Sequence, residues 1–238
     1  MVSSHYFLSS ETCALDTVGA EFVRDVEPGE VVTITKDGIK SDKSLCQKNT
    51  ARCIFEYIYF ARPDSKIDGM GVYESRINAG RILAKTHPVE ADIVVGVPES
   101  GNPAALGFSM ESGIPYGNAV AGKRVVMIDD SIVRGTTSAR IVNLLKAAGA
   151  KEVHVRISSP AFLHPCYFGT DIPSEDQLIA SGHSVDEICE IIGADSLGYL
   201  EVDKLSEMIC GQTGYCDACF TGNYPIEPPK IDIRGEMG

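Results

Sequence analysis

One run of fourteen residues, from Val125 to Ser138, places two carboxylates between a buried strand and a helix. Residues 125–128 are all large and apolar, which is typical of a strand buried on both faces. Asp129 and Asp130 follow, then a loop that contains Gly135, and the pattern predicts a helix over residues 138–148. A strand that leads through a short loop into a helix is the building unit of parallel sheets. The run therefore predicts an α/β domain.

Further strands and helices alternate around this run. Strands are predicted over residues 92–97, 123–128 and 152–158, and helices over residues 73–85, 103–110, 185–192 and 202–209. Such alternation indicates right-handed βαβ units, in which a parallel sheet is covered by helices on both faces. Beyond Pro160 the pattern becomes irregular, and we expect that part to cap one edge of the sheet.

The loop after the two aspartates suits a phosphorylated sugar. Gly135 lets a ligand approach the backbone, and the N–H groups and hydroxyls of Thr136, Thr137 and Ser138 lie where a helix start favours phosphate. The two carboxylates repel phosphate but suit a sugar diol, a Mg²⁺ ion or a developing cation. Together these groups describe a site for a 5-phosphoribosyl group. The alternative is a helix start beside two solvated carboxylates, with no ligand.

A second loop of similar composition follows the strand predicted at residues 92–97. Its residues are Glu99, Ser100, Gly101 and Asn102, and they open the next predicted helix. Such a turn can form a nest of backbone N–H groups for an anion, although an ordinary strand-to-helix turn has the same composition. Because the carboxyl ends of parallel strands meet at one edge of a sheet, we expect the two loops to be neighbours.

The two loops resemble the phosphoribosyl-diphosphate (PRPP) and pyrophosphate loops of type I phosphoribosyltransferases. Two other regions narrow the resemblance to the glutamine PRPP amidotransferase family. Residues 10–16 (SETCALD) and 19–30 (GAEFVRDVEPGE) resemble the end of that family's glutaminase domain. Residues 53–65 (CIFEYIYFARPDS) resemble the junction between its glutaminase and transferase domains. The resemblance covers nearly the whole chain.

This resemblance implies a type I phosphoribosyltransferase fold, with a C-terminal cap, over residues 49–238. It implies that residues 1–48 are the end of an N-terminal-nucleophile glutaminase domain. Members of the family form 5-phosphoribosylamine from PRPP and glutamine-derived ammonia, the first committed step of purine synthesis. Two alternatives stay open. One is a phosphoribosyltransferase for another acceptor, such as a purine base, and the other is a catalytically silent protein that binds PRPP or a nucleotide.

The resemblance also assigns roles to the loop residues. Asp129 and Asp130 are expected to act in catalysis by holding the ribose diol, and with Ser100 they are expected to ligate Mg²⁺. The residues expected to bind PRPP are Glu99, Ser100, Gly101, Asn102, Asp129, Asp130, Ser131, Arg134, Gly135, Thr136, Thr137 and Ser138. Purine nucleotides are expected as feedback ligands, and the family implies a homo-oligomer.

The charge of the chain limits its other partners. There are 21 Lys and Arg residues against 33 Asp and Glu, which gives a net charge of -12. An acidic chain without a basic patch repels nucleic acid and anionic membranes, so neither is expected as a partner. The first twenty residues carry Glu11 and Asp16 and no secretory signal is recognisable in them, so we expect a cytoplasmic protein.

Eight cysteines require an explanation, since structural disulfides are disfavoured in a cytoplasmic protein. The pair Cys216-x-x-Cys219 is a chelating motif, for which zinc or a free thiol pair are the alternatives to iron. The iron–sulfur branch of the family implies that Cys53, Cys166, Cys216 and Cys219 ligate a 4Fe–4S cluster. The remaining four, Cys13, Cys46, Cys189 and Cys210, are expected to be ordinary buried or surface thiols. The five histidines fit no ligand or triad spacing and are expected to be structural.

The chain departs from the family pattern in two respects. The family's glutaminase uses an N-terminal cysteine as its nucleophile, whereas this chain starts at Met1 within the last part of that domain, and Cys13 stands in a different context. We therefore expect this chain alone not to hydrolyse glutamine. The family also has a basic lid where residues 117–121 (GNAVA) form a short connection here, so a few tens of residues are expected to be missing. Such a lid closes an active site against water.

Overall fold

A computed structural model of the chain describes residues 5–46, 50–170, 172 and 174–229. The described residues contain ten strands. They are β1 (Val31–Thr35), β2 (Gly38–Asp42), β3 (Arg52–Cys53), β4 (Lys66–Ile67), β5 (Met70–Gly71), β6 (Ile93–Gly96), β7 (Arg124–Asp129), β8 (Glu152–Ile157), β9 (Ser196–Tyr199) and β10 (Tyr215–Cys216).

The described part of the chain also contains eight α-helices. They are α1 (Thr12–Thr17), α2 (Val72–Thr86), α3 (Gly101–Ser112), α4 (Thr136–Ala147), α5 (Ile179–Gly182), α6 (Val185–Ile192), α7 (Leu205–Met208) and α8 (Ala218–Thr221). A π-helical turn covers Glu56–Phe60, and two 3₁₀ turns cover Glu175–Gln177 and Val202–Lys204. No described helix is both long enough and apolar enough to cross a bilayer.

Four strands form the central sheet, in the order β6-β7-β8-β9, and every neighbouring pair is parallel. Gly96 pairs with Ile128, and Asp129 pairs with Ile157, so β6, β7 and β8 end close to one another. This edge, where three parallel strands finish together, is the place where α/β sheets bind ligands.

Both faces of the sheet are buried, because side chains alternate along each strand. Val94, Val126 and Ile128 lie in the core beneath α2 and α3. Val125, Met127 and Val155 lie in a second core against α4 and α6. The predicted α/β architecture, a parallel sheet with helices on both faces, is confirmed. Strands that are buried on both faces have continuous apolar sequences, whereas strands with one exposed face alternate apolar and polar residues.

Two sequence predictions need correction. Beyond Pro160 the sequence predicts an irregular cap with two helices and identifies no strand, but β9 adds a fourth parallel strand beside β8. Ser196–Tyr199 contains Gly198 and a single β-propensity residue, so its pattern is too weak to indicate a strand. The helix predicted over residues 202–209 is a 3₁₀ turn followed by the four-residue α7.

The first segment stands apart from the central sheet. Its strands β1 and β2 form an antiparallel hairpin that pairs with no other strand among the described residues. Val31, Ile34 and Ile39 on this hairpin are exposed, so it has little core of its own. The predicted domain boundary between residues 48 and 49 lies outside the described residues and stays a prediction.

Helices α2 and α3 cross very closely, since each presents a glycine to the backbone of the other. A Cβ atom added to Gly80 would lie 1.8 Å from the carbonyl oxygen of Ala104. One added to Gly107 would lie 2.0 Å from the carbonyl oxygen of Ile77. The crossing fixes α2 against α3, whose first turn belongs to the functional loop after β6.

We predict that Gly80→Ala destabilises the fold by about 1–3 kcal/mol, because the added methyl group forces the two backbones apart. Gly182→Ala is the control, since an added Cβ there meets no atom within 4 Å. Urea unfolding of both variants measures the effect. A Gly80→Ala midpoint equal to that of Gly182→Ala would contradict the close crossing.

Candidate functional site

The two loops expected to bind PRPP meet at the carboxyl edge of the sheet. The loop after β6 contains Glu99 and Ser100, and the loop after β7 begins at Asp130. Val97 N–H donates to the carbonyl oxygen of Ile128 at 2.8 Å, which continues the strand pairing into the loops. Parallel pairing thus brings together two segments that lie 30 residues apart in the sequence.

Asp130 links the two loops through its carboxylate. The Ser100 hydroxyl donates to Asp130 Oδ2 at 2.5 Å, and the Ser131 hydroxyl donates to Oδ1 at 2.6 Å. Asp130 is 9% exposed and Ser100 is 8% exposed, so this link is almost fully buried. Hydrogen bonds to a carboxylate oxygen are among the stronger ones in proteins. The bond from Ser100 therefore fixes the relative position of the two loops, and the bond from Ser131 holds the second oxygen from within the same loop.

Asp129 is 6% exposed, and its carboxylate accepts a hydrogen bond from the N–H of Asp130 at 2.9 Å. Burial raises the pKa of Asp129 well above its usual value, and the neighbouring Asp130 charge raises it further. The unliganded pair therefore resists carrying two negative charges. A cation or a hydroxyl donor from a ligand relieves that repulsion, which is typical of a functional site.

The start of α4 offers donors to an anion. Its N-cap residue is Gly135, with φ +77°, so no side chain there can accept from the first N–H groups of the helix. Thr136 and Thr137 are exposed at this start, whereas Ser138 is buried. A Cβ at Gly135 would lie 2.8 Å from a methyl group of Ile179, so the position needs glycine for space as well as for its left-handed backbone.

These groups line a cavity of about 970 Å³. Of the residues expected at the site, those that line it are Glu99, Ser100, Asp129, Asp130, Ser131, Arg134, Gly135, Thr136, Thr137 and Ser138. Gly101 and Asn102 are not among the described lining residues. Gly101 packs against the backbone of Ile128, and Asn102 Oδ1 accepts from the Tyr116 hydroxyl at 3.3 Å.

The opposite wall of the cavity was not anticipated from the sequence. It is formed by the junction segment, with Tyr59, Phe60 and Arg62, and by Phe162. Arg76, from α2, also lines the cavity and donates to three carbonyl oxygens of this wall. The junction motif was recognised only as a boundary between domains, and a lone arginine within a helical pattern carries no signal of a site.

The short connection at residues 117–121 passes along the edge of the sheet. Gly117 N–H donates to the carbonyl oxygen of Val94 at 3.0 Å, and Lys123 N–H donates to that of Val120 at 3.1 Å. Residues 117–121 are not among the described residues that line the cavity. The structure therefore places no cation from this connection at the site.

Four of the eight cysteines lie near one another. Cys53 on β3 pairs in register with Cys216 on the parallel strand β10. The charges of Cys53, Cys166 and Cys216 all act on the thiol of Cys219 and, after burial, raise its pKa. Within the described residues, no three His, Cys, Asp or Glu side chains are arranged to hold a single metal ion.

Backbone N–H groups act on all four of these sulfurs, in Cys219 through its own N–H. Burial raises the pKa of Cys166, but N–H groups of residues 168–170 outweigh it and lower that pKa. Thr170 N–H, for example, lies 3.4 Å from Cys166 Sγ. N–H groups also favour the thiolates of Cys53 and Cys216, although burial dominates and raises both pKa values, that of Cys53 to about 11.

The other four cysteines have different surroundings. Cys189 donates its S–H to the carbonyl oxygen of Ala194 at 3.3 Å, and Cys13 donates to a Glu11 carboxylate oxygen at 3.8 Å. Cys210 is exposed, and Cys46 is half-buried. A thiol that donates is protonated, so these contacts do not favour a metal ligand.

A scan against models of protein families gives no match. The chain is nevertheless clearly similar in sequence to curated proteins. The amidophosphoribosyltransferase of Archaeoglobus fulgidus is 46% identical over 264 residues, which cover 96% of this chain and 58% of that protein. That of Bacillus subtilis is 46% identical, covering 95% of this chain and 56% of the relative. The chain thus spans somewhat more than half the length of these relatives.

The chain is also similar in fold to solved structures. Glutamine PRPP amidotransferase from Bacillus subtilis, complexed with ADP and GMP, matches 94% of this chain and 58% of its own, with a TM-score of 0.89 and 46% identity. A structure described as the allosteric regulatory enzyme of purine biosynthesis matches with a TM-score of 0.90. The fold of this chain is therefore that of PRPP amidotransferases.

The alignments also contain a gap. In the comparison with the Archaeoglobus fulgidus protein, 96% of this 238-residue chain is about 228 residues, whereas the alignment runs over 264 positions. About 36 positions therefore have no counterpart in this chain. This size agrees with the few tens of residues expected to be missing from the sequence.

We predict that Asp129→Asn stabilises the unliganded protein by about 1–2 kcal/mol at pH 8. Because the folded-state pKa of Asp129 is raised, the folded state binds an extra proton, and stability falls as pH rises from about 4 towards 7. The asparagine variant lacks this fall. Urea unfolding between pH 4 and 8 measures it.

Asp92→Asn is the control with the opposite sign. Hydrogen bonds from Arg124 lower the pKa of Asp92, so its removal should decrease stability at neutral pH. An Asp129→Asn variant that is less stable than the wild type at pH 8 would contradict the repulsion within the carboxylate pair.

Proposed function

Because this chain belongs to the amidophosphoribosyltransferase family, we propose that its cavity binds PRPP and transfers the 5-phosphoribosyl group to ammonia. The product is 5-phosphoribosylamine, an early intermediate of purine synthesis. The observation that carries the proposal is the buried link from Ser100 to Asp130 at 2.5 Å, which joins a phosphate-type loop to a carboxylate pair in one cavity.

Each part of PRPP finds matching groups in the cavity. The 5-phosphate is assigned to the start of α4, where free N–H groups and the hydroxyls of Thr136 and Thr137 favour an anion. The ribose diol is assigned to Asp129 and Asp130, whose oxygens accept hydrogen bonds. The diphosphate is assigned to the loop with Glu99 and Ser100. The hydrogen bond from Ser100 to Asp130 joins this loop to the carboxylates that are assigned to the diol.

Magnesium fits the same edge of the cavity. Mg²⁺ prefers oxygen ligands and is usually held by one or two carboxylates together with substrate phosphates and water. Asp129, Asp130 and the Ser100 hydroxyl supply such oxygens, and the crowded negative charge of the aspartate pair favours a cation there. When bound, the ion neutralises diphosphate charge. A chain with net charge -12 needs this to bind a polyanion.

The proposed reaction needs no covalent bond to the protein. The bond between ribose C1 and the diphosphate oxygen breaks, the bond from C1 to the ammonia nitrogen forms, and the nitrogen loses a proton. Asp129 and Asp130 hold the diol and stabilise positive charge that develops on the ribose ring. Catalysis then consists of positioning and electrostatics.

The lid that is expected to be missing at residues 117–121, a gap relative to the family pattern, would limit turnover. A closed lid excludes water and can supply cations for the leaving diphosphate. Loss of one preorganised charge partner typically costs about 3–4 kcal/mol, or a factor of about 10²–10³ in rate. This gap also favours the second candidate function, a protein that binds PRPP or a nucleotide without turnover. ADP and GMP, present in the Bacillus subtilis structure, are the nucleotides we propose as ligands.

We predict that the protein binds PRPP in the presence of Mg²⁺ and that Asp130→Asn weakens binding at least about tenfold, because it removes a charged hydrogen-bond acceptor. Asp203→Asn, on an exposed turn away from the cavity, should bind normally. Isothermal titration measures affinity, and circular dichroism verifies folding. Unchanged affinity in Asp130→Asn would remove the carboxylate pair from the site.

Pyrophosphate release from PRPP distinguishes the acceptors in the same preparation. Slow release that depends on ammonia supports the proposed transfer, and release that depends on a purine base supports a different phosphoribosyltransferase. Binding without any release supports the silent protein.

We also propose that Cys53, Cys166, Cys216 and Cys219 ligate a 4Fe–4S cluster. Their mutual proximity, the β3–β10 register and the N–H groups aimed at the sulfurs support this. Thiolate ligands of such clusters accept hydrogen bonds that tune the metal centre. A cubane binds one sulfur at each of four iron corners, so its ligands lie farther apart than those of a single tetrahedral ion. Bound, the cluster supplies a rigid tie between the junction segment and the C-terminal part.

We predict that anaerobically prepared protein is brown and contains four irons per chain, and that Cys219→Ser loses the colour and is less stable, because metal binding contributes to folding. Cys210 is exposed and is not one of the four proposed ligands, so Cys210→Ser should keep the brown colour and the stability of the wild type. Iron and sulfide analysis, with thermal unfolding, provides the measurement. One zinc per chain without iron would overturn the assignment.

A further inference from the structure

Arg76 is a buried cation at the wall of the cavity. Its side chain is 3% exposed, yet it is one of the residues that line the cavity. Nε donates to the carbonyl oxygen of Tyr57 at 2.9 Å, and Nη2 donates to those of Tyr59 at 3.0 Å and Ala61 at 2.8 Å. Three of its five N–H groups therefore hold the π-helical turn of the junction segment.

The remaining two N–H groups, both on Nη1, have no hydrogen-bond acceptor among the described residues. Nη1 is nevertheless not completely shielded from solvent, and Arg76 is a residue that lines the cavity. No described carboxylate lies within salt-bridge distance of Arg76, although the charges of Asp130 and Glu11 act on it from farther away. Arg76 is thus a buried charge with free donors and no directly paired carboxylate among the described residues.

The other arginines that line the cavity differ from Arg76. Arg62 is paired with Asp64 at 2.7 Å, and Arg134 is exposed and hydrogen-bonded to Gln177. Burying an unpaired charge is costly, and such a charge is retained where a ligand of opposite sign completes it. An anion that arrives with the ligand would supply the pairing that Arg76 lacks.

The position of Arg76 indicates which anion. Arg76 lines the same cavity as Ser100 and Asp130, which form the buried link between the two loops. Two acidic side chains act on Arg76 through their charges, and Asp130 acts more strongly than Glu11. These observations associate Arg76 with the loop that contains Ser100, to which the diphosphate is assigned.

We propose that Arg76 binds the diphosphate of the ligand through Nη1, while its other donors hold the wall of the cavity. This inference rests on the proposed function, since it names a further group for the same ligand. A resident cation from α2 is fixed in place by the wall carbonyls, so it is available to the diphosphate without closure of a lid.

The test compares two halves of the ligand in Arg76→Gln, Arg76→Lys and Arg81→Gln. Arg81 is an exposed residue of the same helix and gives the same change of charge away from the cavity. Binding of inorganic pyrophosphate and of ribose 5-phosphate, each with Mg²⁺, is measured by titration calorimetry on the full chain.

Arg76→Gln should weaken pyrophosphate binding by about ten- to a hundredfold and ribose 5-phosphate binding by less than about threefold. Arg76→Lys, which keeps the charge, should lose only a few-fold for pyrophosphate, and Arg81→Gln should bind both as the wild type does.

Equal losses for both probes in Arg76→Gln would mean that Arg76 only supports the wall, and unchanged pyrophosphate binding would exclude contact. Either result overturns this inference while wild-type binding upholds the proposed function. Wild-type protein that binds neither probe overturns the proposed function itself. Where Arg76→Gln does not fold, Arg76→Lys decides: a loss confined to pyrophosphate supports the inference, and equal or absent losses overturn it.

Discussion

The hydrogen bond from Ser100 to Asp130 depends on the parallel pairing of β6 with β7, and the rest of the site depends on that bond. It joins two loops whose strands end side by side, and it is almost fully buried. A carboxylate held there by two hydroxyls stays at a fixed place on the cavity edge. Burial raises the pKa of its neighbour Asp129, and the charge of the adjacent Asp130 raises it further. A cation or a hydroxyl donor from a ligand can relieve the repulsion between the two carboxylates.

The second wall of the cavity depends on the close crossing of α2 and α3. Gly80 and Gly107 let the two backbones touch, which brings Arg76 to the cavity from a helix that otherwise belongs to the core. Arg76 holds the π-helical turn by three carbonyl oxygens. The turn in turn carries Tyr59 and Phe60 into the cavity. A change at the helix crossing is therefore expected to reach the site through the wall.

The cysteines show how the junction segment is connected to the C-terminal part. Cys53 follows Arg52 in β3, and β10 pairs with it in parallel over only two residues. So short a pairing contributes little stability on its own. Ligation of one cluster by the four thiolates, as proposed, would add a connection between these segments that the two-residue pairing does not provide.

The α/β class, the order of the main elements and the two loops after β6 and β7 can be predicted from the amino-acid sequence, because these features are local. Apolar runs, helix starts and the paired aspartates are all encoded within a few residues. Long-range packing decides that β9 joins the sheet, that Gly101 and Asn102 are not among the described residues lining the cavity, and that Arg76 lines it. These outcomes depend on strand pairing and helix crossing between segments far apart in the chain. No local pattern encodes a contact whose partner lies tens of residues away.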